Sequence, residues 1–215
     1  MSRYAVKEIY YTLQGEGAHS GRAAVFLRFT GCNLWSGRDQ DRGRGAGGCS
    51  AWCDTDFVGT DGPGGGRFDG PSTLAAAVTA AWPSAAGGEP LVVATGGEPL
   101  LQLDPALIDA LHAAGFTVAI ETNGTIAIPA GVDWVCVSPK AHAPLAVTRG
   151  DELKLVYPQP EVPPASVEHL DFRHFFLQPL DGPQAAEFTR ACLEYCLAHP
   201  RWRISLQTHK LLNIP

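Results

Sequence analysis

The chain has no surplus of positive charge. Lys and Arg number 16 against 22 Asp and Glu, a net −6 over 215 residues. A duplex nucleic-acid binder needs a basic face for the phosphates, so small-molecule chemistry is favoured over nucleic-acid binding. No apolar run approaches the ~20 residues of a membrane span. The opening MSRYAVKEIYYTLQ lacks the basic, then apolar, then small-residue order of a secretory leader. Together these absences predict a cytoplasmic protein with no membrane partner. No linker-like run divides the sequence, and residues 1–215 are read as one domain long enough to bury a core. In a reducing compartment its six cysteines need not form disulfides. Histidine is also missing between His19 and His112, which limits what the cysteines in that interval can do.

Three of those cysteines lie in residues 31–57, GCNLWSGRDQDRGRGAGGCSAWCDTDF, a stretch too rich in glycine and charge for a regular helix or strand. Cys32 is followed by sixteen residues and then Cys49, with three more before Cys53. Thiolates select zinc, copper(I) or iron-sulfur clusters, and a closed zinc site needs a fourth ligand, for which no histidine is near. Three cysteines on a 4Fe-4S cluster would leave one iron open for chemistry. Free thiols in a loose insertion are the plainer reading. The remaining cysteines read as core: Cys136 in an apolar strand, Cys192 and Cys196 four apart on a helix.

Elsewhere apolar strands repeatedly end in polar residues. Tyr4 to Leu13 delivers Gln14-Gly15-Glu16-Gly17, where a carboxylate between glycines could take two parallel hydrogen bonds from an amidine-like edge. Ala23 to Thr30 carries Arg28 on an apolar face, a charge that requires either an anionic ligand or an acidic side chain. Leu91 to Ala94 ends at Thr95-Gly96-Gly97-Glu98-Pro99, Phe116 to Ile120 at Glu121-Thr122-Asn123-Gly124, and Trp134 to Val137 at Ser138-Pro139-Lys140. Leu153 to Tyr157 follows Glu152, Phe175 to Leu177 leads to Gln178-Pro179-Leu180-Asp181, and Arg203 to Leu206 precedes Gln207-Thr208-His209-Lys210. Helices are expected at Ser72 to Trp82 with a serine cap, Pro105 to Ala114 and Pro183 to Ala198, with 59–70 a polar loop. The pattern predicts an α/β protein: a partial, open parallel β/α barrel of about six strands with few helices and its site at the strands' C-terminal edge.

In GCNLW, CDTDF, GGEP, LQGEG and the QTHK…NIP ending, the chain resembles the 7-carboxy-7-deazaguanine synthases of the radical S-adenosylmethionine (SAM) superfamily. Most of that superfamily spaces its cysteines C-x3-C-x2-C; one branch of this family has a long insertion, and this chain's C-x16-C-x3-C extends it. The resemblance implies a lyase of 7-deazapurine (queuosine-type) biosynthesis that converts 6-carboxy-5,6,7,8-tetrahydropterin to 7-carboxy-7-deazaguanine with loss of ammonia. It implies a 4Fe-4S cluster on Cys32, Cys49 and Cys53, and Mg2+ on Thr55. SAM is expected against Trp52, Cys53 and Asp54 of the cluster loop, then Gly97, Glu121, Ser138, Pro139 and Lys140, and Gln178, Pro179, Leu180 and Asp181. The pterin is expected at Leu13, Gln14, Gly15, Glu16, Arg28 and Thr95, closed over by a tail, 207–215, that brings in His209 and Pro215. A homodimer and an electron donor such as flavodoxin complete the family expectation. A radical SAM activase acting on a protein partner would share the cluster and GGEP without needing LQGEG, Arg28 or the tail. A zinc-binding module is the non-enzymatic alternative.

Overall fold

The computed structural model describes residues 4–215 and contains one nine-stranded sheet. The first three residues of the stretch read for a leader, and of the 1–215 domain, lie outside the described residues. Strand β1 (Tyr4–Leu13) pairs antiparallel with β2 (Ala23–Phe29) and with the short β3 (Gly66–Phe68). From β2 the sheet runs parallel through β4 (Leu91–Gly96), β5 (Thr117–Thr122), β6 (Trp134–Val137), β7 (Arg149–Tyr157), β8 (Asp171–Pro179) and β9 (Trp202–Ile204). That makes seven parallel strands where about six were expected, with an antiparallel extension of two. The sheet begins at β3 and ends at β9 without those edges pairing, so the barrel stays open.

Burial explains the apolar runs. Leu91, Val92, Val93 and Ala94 are all essentially inaccessible because β4 is central in the sheet and covered on both faces. Outward residues such as Leu27, Val92, Val118 and Ile120 pack beneath helices α1 (Pro71–Ala81) and α2 (Pro105–Ala113), while Leu153, Leu155 and Leu177 form a second cluster with Cys192 of α3 (Ala185–Ala198) and Trp202. The other face holds a smaller apolar cluster, Ala24, Leu91, Val93 and Ala119 with Phe26 and Trp134. The cavity lined by Phe26, Arg28, Glu121 and Lys154 opens on this side of the sheet.

Several local expectations need correcting. The N-cap of α1 is Gly70, with Pro71 in the first turn, so Ser72 sits inside the helix and caps nothing; Pro fits there because its missing N–H has no helical partner anyway. The supposed loop 59–70 contributes β3, whose three residues are too few to leave a periodic signal. The cluster loop contains two short 3-10 turns, Asp39–Asp41 and Gly48–Ala51. The tail carries a helix, α4 (Thr208–Leu212). Cys136 and Cys192 are buried as expected, and Cys196 is half-buried.

The GGEP carboxylate is structural. Glu98 is fully buried and accepts from Thr122 Oγ1 (2.8 Å), the Asn123 amide (2.8 Å) and the Leu100 amide (3.1 Å), tying the end of β4 to the end of β5. Glu98→Gln must aim an NH2 donor at one of those donors. A loss of about 1.5–3 kcal/mol is expected in urea unfolding, and an unchanged midpoint would contradict this role.

Candidate active site

Gly96 and Gly97 bring the end of β4 against the start of the cluster loop. A Cβ at Gly97 would run into the carbonyl of Gly31 and the Cβ of Cys32, and the Glu98 amide donates to the Gly31 carbonyl at 2.9 Å. Only glycine allows this approach. It sets Cys32 at the C-terminal edge of the parallel strands, facing a cavity of about 410 Å³ that Cys49 and Cys53 also line. This lies within the usual range for small-molecule sites. All three thiols are free. Burial pushes the Cys32 thiol up and the Cys49 thiol to about 11; Cys53 nearby adds to the electrostatic cost of ionising both, and Cys32 adds to that of Cys49.

Opposite the thiols, the turn after β1 lies across the mouth of the barrel and is held from below. The Ala18 amide donates to Glu152 Oε2 (2.8 Å), whose other oxygen takes the Trp134 indole N–H (2.9 Å), and the Gly17 amide donates to Ser205 Oγ (2.9 Å). Glu16 therefore points into the site. Its carboxylate accepts from Lys154 Nζ, Gln178 Nε2 (3.2 Å) and Gln207 Nε2 (3.0 Å). Burial opposes its charge, but Lys154 above all outweighs burial and holds the carboxyl below its ordinary range.

Arg28, next to Thr95 in the β2–β4 register, also faces the cavity. Its Nε donates to Glu8 Oε1 (2.6 Å) and its Nη2 to the Tyr10 hydroxyl (2.9 Å). Of the two partners left open by the sequence, the acidic side chain is present.

The tail closes the third side. Thr208 bonds the Gly15 carbonyl through its amide and its hydroxyl (both 2.9 Å), and the His209 ring lies against Gly15 where a Cβ would collide. Pro215 accepts from Thr12 Oγ1 at 3.1 Å. Lys210 bridges Asp54 of the cluster loop (2.7 Å) and Asp181 after β8 (2.5 Å).

Of the residues selected from sequence, the three cysteines, Trp52, Asp54, Thr55, Gly97, Glu121, Ser138, Lys140 and Gln178 line this cavity, as do Leu13, Gln14, Gly15, Glu16, Arg28, Thr95, His209 and Pro215. Pro139, Pro179, Leu180 and Asp181 do not; Asp181 touches the site through Lys210. Another hollow, at the N-terminal ends of β7 and β8, is lined by none of them.

No family profile matches the chain. Curated relatives do. The chain is 60% identical to a 7-carboxy-7-deazaguanine synthase of Bordetella pertussis over 215 residues, covering 99% of each. It is 42% identical to one from Bacteroides thetaiotaomicron, covering 97% of each. The chain belongs to the 7-carboxy-7-deazaguanine synthase family. Among solved structures, the fold matches the crystal structure of QueE from Escherichia coli with a TM-score of 0.68 at 26% identity, covering 94% of this chain and 93% of that one.

The radical SAM chemistry of 7-carboxy-7-deazaguanine synthases calls for a 4Fe-4S cluster and SAM, and the residues present fit the cluster. Three free thiols line one cavity, and Cys32 and Cys53 both lie close enough to Cys49 to oppose its ionisation. Among the described residues no three His, Cys, Asp or Glu side chains are placed around a single ion. One buried side-chain nitrogen or oxygen among the described residues has no partner, the indole N–H of Trp35 on the cluster loop, and a cluster sulfide is an acceptor of the kind it needs. Thr55 stands between two aspartates already engaged by lysines, Asp54 by Lys210 and Asp56 by Lys7 (2.9 Å).

For a 7-carboxy-7-deazaguanine synthase, three polar residues here had escaped the sequence reading. Lys154 reads as part of an apolar strand, and only its place two residues after Glu152, hence on the same face, could have marked it. Gln207 and Lys210 were noted as part of the tail but given no role. Lys210→Ala is expected to leave the tail cleavable by a protease several-fold faster than in the parent. Because the pairs are partly exposed, the effect should weaken as salt rises. Equal cleavage in both proteins would assign the docking to the tail's other contacts, those of Gln207, Thr208, His209 and Pro215.

Proposed function

We propose that this protein converts 6-carboxy-5,6,7,8-tetrahydropterin to 7-carboxy-7-deazaguanine with loss of ammonia, using a 4Fe-4S cluster and SAM. The observation that carries this reading is the single cavity into which the fold brings three loop thiols, the 14–16 turn and the 207–215 tail. Cys32, Cys49 and Cys53 would hold the cluster, and Gly97, Glu121, Ser138 and Lys140 would seat SAM along the strand ends. When bound, the cluster would supply the electron that cleaves SAM into the radical that starts the reaction.

The protein's own contribution is placement. Glu16, held on a glycine turn, accepts from the donor edge of the pterin's amino-pyrimidine ring. Arg28 keeps guanidinium donors beyond those given to Glu8 and Tyr10, and these face the substrate carboxylate with magnesium on Thr55 as its second counter-charge. The tail would cover the substrate from one side, with His209 against the turn at Gly15 and Pro215 bonded to Thr12 of β1. We place the enzyme in the cytoplasm as a homodimer reduced by a flavodoxin-type donor.

Turnover tests the reading. Anaerobic, iron-loaded protein given SAM, a reductant and the carboxytetrahydropterin, with no protein partner, should yield 7-carboxy-7-deazaguanine by mass spectrometry. Loaded protein that cleaves SAM but leaves the pterin intact would favour an activase.

A further inference from the structure

Lys154 is the least expected side chain in the site. It projects from the concave face of β7 and is 4% exposed, yet it carries an ammonium. Its Nζ bonds Glu16 on the substrate turn and Glu121 at the end of β5 (2.9 Å). Gln14 closes the ring, donating through Nε2 to Glu121 Oε1 (2.9 Å) and accepting the Glu16 amide on its Oε1 (3.0 Å). One ammonium thus links the carboxylate facing the pterin to the carboxylate facing SAM.

The charge balance shows what the lysine is for. The groups facing it are Glu16 from the turn, Glu121 from β5, Cys136 from β6 and Glu152 from its own strand. His209 of the tail stands beside Glu16, and Tyr10 of β1 lies near Glu121. Three carboxylates therefore surround a single cation bonded to two of them. Like charges in a shared buried site force one carboxyl to keep its proton unless a cation intervenes. A protonated Glu16 would be a poorer acceptor for a donor edge, and its OH would meet that edge donor to donor.

We propose that Lys154 is a positioning residue that keeps the Glu16 carboxylate charged and aimed for the pterin edge, making substrate affinity independent of pH through the neutral range. The proposal rests on the pterin reading given above. For the parent the signs are consistent. Glu16 is held below its ordinary range, so its contribution is lost only as pH falls through that lowered value; Lys154 is held well above its ordinary range, so its contribution is lost only as pH rises through that raised value. Between them the pair is intact.

The test is equilibrium binding of 6-carboxytetrahydropterin to the anaerobic, cluster-loaded protein at about pH 6 and about pH 9, compared between the parent and Lys154→Met. Parent affinity should match at the two values once the ligand's own titration is subtracted. Lys154→Met should bind roughly ten- to a hundredfold more weakly at the lower pH and recover most of that loss at the higher one. Adding Glu16→Gln to Lys154→Met should flatten the profile, because the titrating group is then gone. Affinity unchanged in Lys154→Met, or reduced by one factor at both pH values, would overturn the proposal. If Lys154→Met does not fold, the parent still decides: a protein-dependent loss of affinity from the higher pH to the lower contradicts it. A parent that binds no pterin at either pH refutes the pterin reading itself, whereas a parent that binds beside an indifferent Lys154→Met refutes only the role of the lysine.

Discussion

Alanine at Cys32, Cys49 or Cys53 is expected to abolish iron loading and turnover together, while alanine at Cys136, Cys192 or Cys196 leaves the iron content at the parent level. The two sets occupy different places. The first lines one cavity at the strands' C-terminal edge; Cys192 packs with Trp202 and Leu177 behind the sheet, and Cys136 lies beneath the Glu16–Lys154 network. With three ligands there is no spare, so losing one leaves two thiolates for four irons. Burial also keeps the Cys49 thiol protonated in the free protein, at about 11, so loading must expel protons and be driven by the metal. Cys192→Ala should still cost about 1 kcal/mol through lost packing, visible as a lower melting temperature in iron-replete protein. Iron content, sulfide content and turnover of the six variants check this, and a requirement for any of the second set would reassign the cluster.

Glu16→Gln is expected to weaken pterin binding roughly ten- to a hundredfold with the cluster intact and uncoupled SAM cleavage still measurable. A charge-assisted hydrogen bond is worth about 1.5–3 kcal/mol, which converts to that range of affinity. The substitution keeps the shape of the side chain but removes its charge, and its NH2 must face either the Lys154 ammonium or the Gln178 and Gln207 amides, all of which now donate to it. Arg28→Ala is a less clean probe of the other end of the substrate, because it strands Glu8 in a half-buried position. Pairing it with Glu8→Gln separates loss of a substrate contact from loss of an internal ion pair. Calorimetric titration of the pterin into each loaded variant gives the answer, and full affinity in Glu16→Gln would move the pterin away from the turn.

What could be read from the sequence follows from how each signal arises. Parallel strands buried on both faces leave continuous apolar runs, so β4, β5 and β6 stood out, and their shared habit of ending in polar residues located the site. Three cysteines within one glycine-rich loop marked its chemistry. Short elements leave no period: β3 has three residues, α4 has five, and both depend on tertiary contacts with β1 and the 14–16 turn. Partners distant in sequence are equally invisible. Nothing near Arg28 singles out Glu8, twenty residues earlier, because the pairing comes from the antiparallel register of β1 on β2. Lys154 was hidden for the same reason, its two carboxylates lying 138 and 33 residues away.

The measurement that tests the account most directly is a crystal structure of the iron-loaded protein with SAM and 6-carboxytetrahydropterin both bound. The account predicts a cluster on Cys32, Cys49 and Cys53, SAM along Gly97, Glu121, Ser138 and Lys140, and the pterin's amino-pyrimidine edge on Glu16 with its carboxylate towards Arg28 and Thr55. Pterin bound outside the space between the 14–16 turn and the cluster loop, or a cluster ligated by any other cysteine, would contradict it.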